Sequence, residues 1–169
     1  MKILAIPGSL RSDSSSSQIL RNIHALLPAN VRFEVYNGVG TLPHFNDAAT
    51  PSAPVVEFRS KIKEADGVII CTPEYAFGIP GALKNALDWT VGSAEFIDKP
   101  VALITASSQG EKGHAAMLLV LQAISAKVIA ESSMVISFVR AKLDEQGNVK
   151  DLQTLDALKT AMKNFTKHL

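Results

Sequence analysis

The stretch KILAIPGSLRSDSSSSQIL, residues 2–20, decides the fold. Residues 3–6 are a continuous apolar run closed by Pro7 and Gly8, the pattern of a strand covered on both faces. Six serines and one arginine then fall within the nine positions 9–17. Beyond them Ile19, Leu20, Ile23, Leu26 and Leu27 recur at helical spacing until Pro28 ends the stripe. Strand, polar loop and helix in that order open a βαβ unit.

The same grammar repeats along the chain. DGVIICTP (66–73) and KPVALITAS (99–107) are again continuous apolar runs, VRFEVYN (31–37) alternates as a strand nearer an edge does, and KVIAESSMVIS (127–137) supplies a fifth strand. Helical patterns separate them at 55–64, at 80–89 with Pro80 suited to a first helical position, and within 113–125. A final stripe, Leu152, Leu155, Leu158, Met162 and Phe165, follows Asp151 as N-cap. The order βαβαβαβαβα predicts one α/β domain over residues 1–169, with a parallel sheet wound on both sides. GVGTLPHFNDAATPSAP (38–54) is long for a loop inside such a domain and is expected to be functional or interfacial. KLDEQGNVKD (142–151) reads as a solvated, hairpin-like connection.

Composition narrows the function classes. Apolar residues make up 47% and charged residues 20%, which suits a globular chain and not a disordered one. The formal net charge of +1 provides no basic field for nucleic acid or an anionic membrane. No apolar run approaches the roughly 20 residues that span a bilayer, and MKILAI meets Pro7-Gly8 before a signal-peptide core can form. Cys71 is the single cysteine, so no internal disulfide forms, and a reducing, cytoplasmic setting is expected. Four scattered histidines lack the spacing of a metal site.

In open parallel sheets, ligands bind beyond the carboxyl ends of the strands. Three loops leave such ends, at 7–17, 72–79 and 106–113. In the first, Gly8 allows close backbone approach, and Ser9, Ser14, Ser16 and Ser17 set hydroxyls and free amides at a helix start, where a phosphate is favoured. Arg11 adds a charge-assisted contact. Neither the Walker A pattern nor GxGxxG is present, and hydroxyls in place of glycines point to a terminal dianionic phosphate rather than a pyrophosphate. The alternative is a serine-rich capped loop. The second loop lies in TPEYAFGIPGALKNALDW (72–89): Tyr75 and Phe77 offer flat apolar surface, Gly78 and Gly81 admit a planar ligand, and amides after Pro73 suit a heterocycle edge. An ordinary turn before a proline-started helix is the competing reading.

GSLRSDS (8–14) followed by TPEYAFGIPGALKNALDW (72–89) resembles the NADPH-dependent FMN reductase family, the flavodoxin-like group of flavin, quinone and azo-dye reductases. The resemblance implies a three-layer flavodoxin-like sandwich, a five-stranded parallel sheet of order 2-1-3-4-5, noncovalent FMN, and a homodimer or homotetramer. Carried onto this sequence, it has Ser9, Arg11 and Ser14 hold the FMN phosphate, with Ser16 standing where the family usually has asparagine and Ser17 completing the serine set. Pro73, Glu74, Tyr75 and Ala76 would line the isoalloxazine, with Ala76 also replacing an asparagine and Phe77-Gly78 a more polar pair. ASSQG (106–110) matches the third flavin-facing loop loosely and contributes Ser107 and Gly110. The implied activity passes hydride from NADPH or NADH through FMN to a flavin, quinone, azo or similar small acceptor, in ping-pong fashion and without a catalytic side chain. A flavodoxin-type electron carrier, or an FMN-binding module without turnover, is the alternative. The near-neutral charge opposes it, since such carriers are usually strongly acidic. A phosphoacceptor domain lacks its acidic residues here, and a serine hydrolase lacks GxSxG.

Several single residues keep two readings. Cys71 is expected to be a buried small hydrophobe. Glu74 either braces its loop or touches the flavin. Lys84 and Asp88 form an i,i+4 pair or serve a subunit contact. Trp89 belongs to core or interface. His114 is either solvated or close to the substrate, and His44 and Phe45 are candidates to cover the flavin of a neighbouring subunit.

Overall fold

The computed structural model of the chain describes residues 1–47 and 50–169. Its strands are β1 (Lys2–Pro7), β2 (Arg32–Val35), β3 (Gly67–Thr72), β4 (Pro100–Ala106), β5 (Lys127–Val128) and β6 (Met134–Ile136). Its helices are α1 (Ser15–Leu26), α2 (Ala53–Glu64), α3 (Gly81–Asp88), α4 (Glu111–Ala123) and α5 (Leu152–Phe165). The sheet is parallel in the order β2-β1-β3-β4-β5, with β6 also paired to β4. The flavodoxin-like order is therefore present, with six strands rather than five.

The sixth strand is the second half of the run read as one strand over 127–137. β5 pairs with Pro100 and Val101, and β6 pairs with Ile104 to Ala106. Between them a single 3-10 turn, Ala130–Ser132, lifts the chain off the sheet. Serine hydroxyls replace the missing ladder there. The Leu103 N–H donates to Ser133 Oγ (3.2 Å), Ser133 Oγ donates to Ile129 O (3.0 Å), and Ser132 Oγ donates to Ala161 O in α5 (2.9 Å). The backbone stays satisfied although the strand is broken.

Alternation along the buried strands divides the core. Leu4, Ile6, Val68, Ile70 and Leu103 face α2, α3 and α4, where they meet Phe58, Leu83, Leu87 and Met117. Ile3, Ala5, Ile69, Cys71 and Ile104 face α1 and α5, where they meet Ile19, Leu20, Leu158 and Phe165. β2 lies at the edge, as its alternation predicts, and leaves all four of its residues partly or fully accessible. Helix starts follow local chemistry. Ser14 and Asp151 cap α1 and α5 by accepting the N–H groups of Ser17 (3.1 Å) and Thr154 (2.9 Å). Pro80 is the residue before α3 rather than its first turn, and α4 begins at Glu111.

The connection 142–151 is hairpin-like but anchored. Leu143 and Val149 pair antiparallel and are buried, while Asn22 of α1 donates to Gly147 O and accepts the Val149 N–H, both at 2.9 Å. Among the described residues, no helix is long and apolar enough to cross a membrane.

Candidate active site

A cavity of about 490 Å³ opens at the carboxyl ends of β1, β3, β4 and β6, within the size range of small-molecule sites. The chain reaches it first through Gly8, whose N–H donates to Cys71 O at 2.7 Å while its backbone presses against Thr72. That contact brings the start of the serine loop against the end of β3. Ser9, Arg11, Ser14 and Ser16 line the cavity together with Ser15.

The hydroxyls divide their work. Ser14 Oγ accepts the Ser17 N–H at 3.1 Å and lies 2.9 Å from Ser17 Oγ, so both hydroxyls serve the helix cap; Ser17 itself stands behind the cavity wall. Ser9 Oγ accepts the Arg11 N–H at 3.3 Å and lies 3.5 Å from the Tyr75 hydroxyl. Ser16 is 1% exposed, and its hydroxyl lies against the Cys71 thiol. The first N–H groups of a helix lack acceptors inside it, and the Ser14 cap takes only the third, leaving those of Ser15 and Ser16. Unmatched donors of this kind at a helix N-terminus, beside an Arg11 guanidinium with no acceptor among the described residues, are what a phosphate satisfies.

The second loop forms the opposite wall with Pro73, Glu74 and Tyr75. Tyr75 and Gly78 exchange both backbone hydrogen bonds (3.1 and 2.9 Å), closing a two-residue turn over Ala76 and Phe77 at φ 49° and 60°. Both angles are left-handed, a conformation that usually selects asparagine or glycine. The turn directs Ala76 and Phe77 away from the cavity lining, and Phe77 is 61% exposed beneath the Lys112 ammonium, 4.0 Å from the ring centre. Glu74 braces: its Oε2 accepts the Gly113 N–H of α4 at 2.7 Å, and its own N–H donates to Ser107 Oγ at 3.3 Å.

Ser107 joins the cavity, with Ala106 and Ser108 beside it. Gly110 lies outside the lining as the residue before α4, at φ 102°, where a Cβ would come 2.9 Å from Val135 Cγ1. His114 also lies outside the lining, its Nδ1 2.9 Å from Thr105 Oγ1, and burial holds its pKa below the ordinary histidine value. Cys71 is fully buried, and burial pushes its thiol up to about 12.

His44 and Phe45 lie elsewhere. Pro43 O accepts from Asn85 Nδ2 (3.0 Å) and from Trp89 Nε1 (2.8 Å), the Phe45 N–H donates to Asn85 Oδ1 (2.8 Å), and the Phe45 ring meets Trp89 edge-on. The segment is fastened to its own α3, and Trp89 is core. Ala48 and Ala49 of the same long loop lie outside the described residues. Lys84 and Asp88 pair within α3 at 2.5 Å.

A fourth strand exit completes the cavity: Phe138, Val139, Arg140 and Ala141, which follow β6. Sequence reasoning missed them because it stopped the strand at residue 137 and resumed with the connection at 142. The rule that ligands sit at strand carboxyl ends, applied to the fifth strand as well, would have found them.

The sequence model of the NADPH-dependent FMN reductase family matches residues 1–140. NADH-dependent flavin reductase subunit 2 of Lactobacillus johnsonii is 35% identical over 99% of this chain and 96% of its own. A quinone reductase of Escherichia coli K12 is 30% identical over 98% of this chain and 93% of its own. Among solved structures, the flavoenzyme NAD(P)H:(acceptor) oxidoreductase FerB of Paracoccus denitrificans superposes with a TM-score of 0.84 at 26% identity, covering 99% of this chain and 98% of that one. With the motifs, the sheet order and these likenesses in agreement along nearly the whole length, the chain belongs to the NADPH-dependent FMN reductase family.

Proposed function

We propose that the protein is an FMN-dependent oxidoreductase that takes hydride from NADPH or NADH and delivers it to a quinone, flavin or similar small acceptor. The observation that carries this reading is the unmet hydrogen-bond capacity beside Arg11: the amides of Ser15 and Ser16 at the start of α1, which find no acceptor among the described residues. These fit the phosphate of FMN. Ser9 and Ser14 stand beside that position, and Pro73, Glu74, Tyr75 and Ser107 form the wall against which the ring would lie. When bound, the flavin supplies two-electron hydride chemistry at its N5, and no side chain has to form a covalent bond.

The residues of this chain then hold, orient and shield. Ser9 links the phosphate loop to the ring wall through the Tyr75 hydroxyl. Glu74 fixes the ring wall to α4, so the amides that follow Pro73 keep their direction. Tyr75, 52% exposed, leaves apolar surface at the mouth, where a flat acceptor or a nicotinamide can stack.

The 169 residues act as one domain in this reading, and the functional unit is a homodimer or homotetramer. Exposed Leu118 and Leu119 on α4 and Val91 and Ile97 after α3 support association, which light scattering measures directly. A cytoplasmic location is supported by the single buried cysteine and by a pyridine-nucleotide donor. The test of function is steady-state oxidation of NADPH and NADH by the purified chain, with FMN present and a benzoquinone as acceptor. Continuous acceptor-dependent turnover is expected. Absence of turnover with both donors, or turnover equally fast without flavin, overturns the assignment.

A further inference from the structure

Arg140 is the one cavity-lining residue whose charge has no task in the site as described so far. It belongs to a single 3-10 turn, Val139–Lys142, and its guanidinium has no acceptor among the described residues. Its position is firmly set. Phe138 turns the chain at φ 52°, a left-handed conformation costly for a bulky residue, and Val139 is 3% exposed. The N–H groups of Phe138 and Val139 donate to Ser108 O and Ser107 O, each at 3.1 Å, and Ser137 Oγ donates to Gln109 O at 2.8 Å. Strain held by that many bonds and a buried anchor presents the next residue, Arg140, to the cavity.

Charge identifies what Arg140 faces. The lining holds two cations, Arg11 and Arg140, and one carboxylate, Glu74, which the Gly113 N–H already engages. Two guanidinium groups, neither with an acceptor among the described residues, thus share one cavity in a chain whose net charge is only +1. The side of the sheet is equally informative. Val139 is buried on the α1 side of the sheet, and the connection that follows is bonded to α1, where Asn22 donates to Gly147 O and accepts the Val149 N–H.

We propose that Arg140 is a second phosphate-anchoring residue, reaching the dianionic 5′-phosphate of FMN from the loop after β6 as Arg11 does from the loop after β1. The inference rests on the FMN reading above and adds to it a residue from a loop outside the three that carry the family motifs. A phosphate monoester carries close to two negative charges at pH 7, with a second ionisation near pH 6. One arginine balances the monoanion, whereas two select the dianion.

The test is titration of the flavin-free 169-residue chain with FMN and with riboflavin, read by flavin fluorescence, for the parent protein and for Arg140→Gln, Arg140→Lys and Arg11→Gln. Arg140→Gln is expected to weaken FMN binding roughly ten- to hundredfold, the range of a charged hydrogen bond, and to leave riboflavin unchanged. The rise in FMN affinity between about pH 5 and pH 7 should flatten in Arg140→Gln and return in part in Arg140→Lys. Unchanged FMN affinity in Arg140→Gln overturns the proposal, including the outcome in which only the KM for NADPH rises, which would assign Arg140 to the nucleotide. A parallel loss for FMN and riboflavin also overturns it, by showing a packing role. A parent protein with no preference for FMN over riboflavin overturns the FMN reading itself, and so separates the two failures.

Discussion

Gly8→Ala tests how the sheet positions the phosphate loop. A Cβ at residue 8 would sit 2.3 Å from Thr72 Oγ1, 2.6 Å from Thr72 Cβ and 2.8 Å from Thr72 Cα. Carbon atoms pack at about 3.5–4.0 Å, so the shortfall to the backbone carbon alone is at least about 0.7 Å. Rotating the threonine does not relieve it, because Cα moves only with β3. The two strand ends are also tied, by the 2.7 Å bond from the Gly8 N–H to Cys71 O and by the pairing of Pro7 with Cys71. The displacement therefore passes into Ser9 and Arg11. Binding constellations tolerate about 0.5 Å of misplacement. Overpacking of this kind costs about 1–3 kcal/mol, and a chain of this size loses about 2–4 °C of Tm per kcal/mol, so a drop of about 2–12 °C is expected. FMN should bind at least about tenfold more weakly, the loss of one charged hydrogen bond. Thermal unfolding and flavin titration measure the two effects separately. In the double variant Gly8→Ala/Thr72→Gly, where the Cβ and Oγ1 contacts are gone, the losses should be less than additive. A Gly8→Ala protein with the parent Tm and the parent FMN affinity refutes the close approach and the argument built on it.

Glu74→Ala removes the acceptor for the Gly113 N–H and should cost about 1–2 kcal/mol, as loss of a helix cap does, with Glu74→Gln recovering part; equal Tm values in urea-free melts of all three proteins would contradict the bracing role. Ala76→Asn places a residue tolerant of left-handed geometry at φ 49° and should raise Tm by a few degrees, about 1 kcal/mol; a lowered Tm would show that the turn is not held as described. Asp151 and Asp144 both titrate below the ordinary aspartate value, Asp151 through its bonds with Thr154 and Asp144 through those with Asn148. Because their folded pKa values are depressed, their stabilisation is present above about pH 4 and is lost as pH falls through the folded values. Asp144→Asn/Asp151→Asn should therefore flatten the acid limb of a urea-midpoint profile below about pH 4; a parallel profile refutes the assignment.

Much of this architecture is legible in the sequence because each signal is local. Continuous apolar runs mark β1, β3 and β4, the alternation of residues 31–37 marks an edge, and Asp151 before an apolar stripe marks the start of α5. The serine loop and the Tyr75 turn are legible for the same reason, since strand ends are where special residues accumulate. The illegible features depend on distant partners. Glu74 becomes a brace only when Gly113, 39 residues away, is brought to it. The fifth strand breaks because Ser132 and Ser133 find acceptors and donors in β4, α5 and their own turn, and nothing in AESSM announces those partners. Phe138 adopts a left-handed angle without the glycine that would signal it. The anchoring of the Pro43–Phe45 segment on α3 likewise depends on Asn85 and Trp89, some 40 residues away along the chain.

The interrupted fifth strand also governs how copies of this protein can meet. A sheet margin invites an added strand when it offers a long, flat row of unpaired backbone groups. Here one margin is a four-residue strand, and the other is a pair of two and three residues split by a turn. The short margin carries Arg32 and Glu34, and the split one carries Lys127. Neither offers enough uninterrupted backbone to template a second sheet, so the fold resists edge-to-edge aggregation without a covering element. Productive self-association is left to its helices and loops.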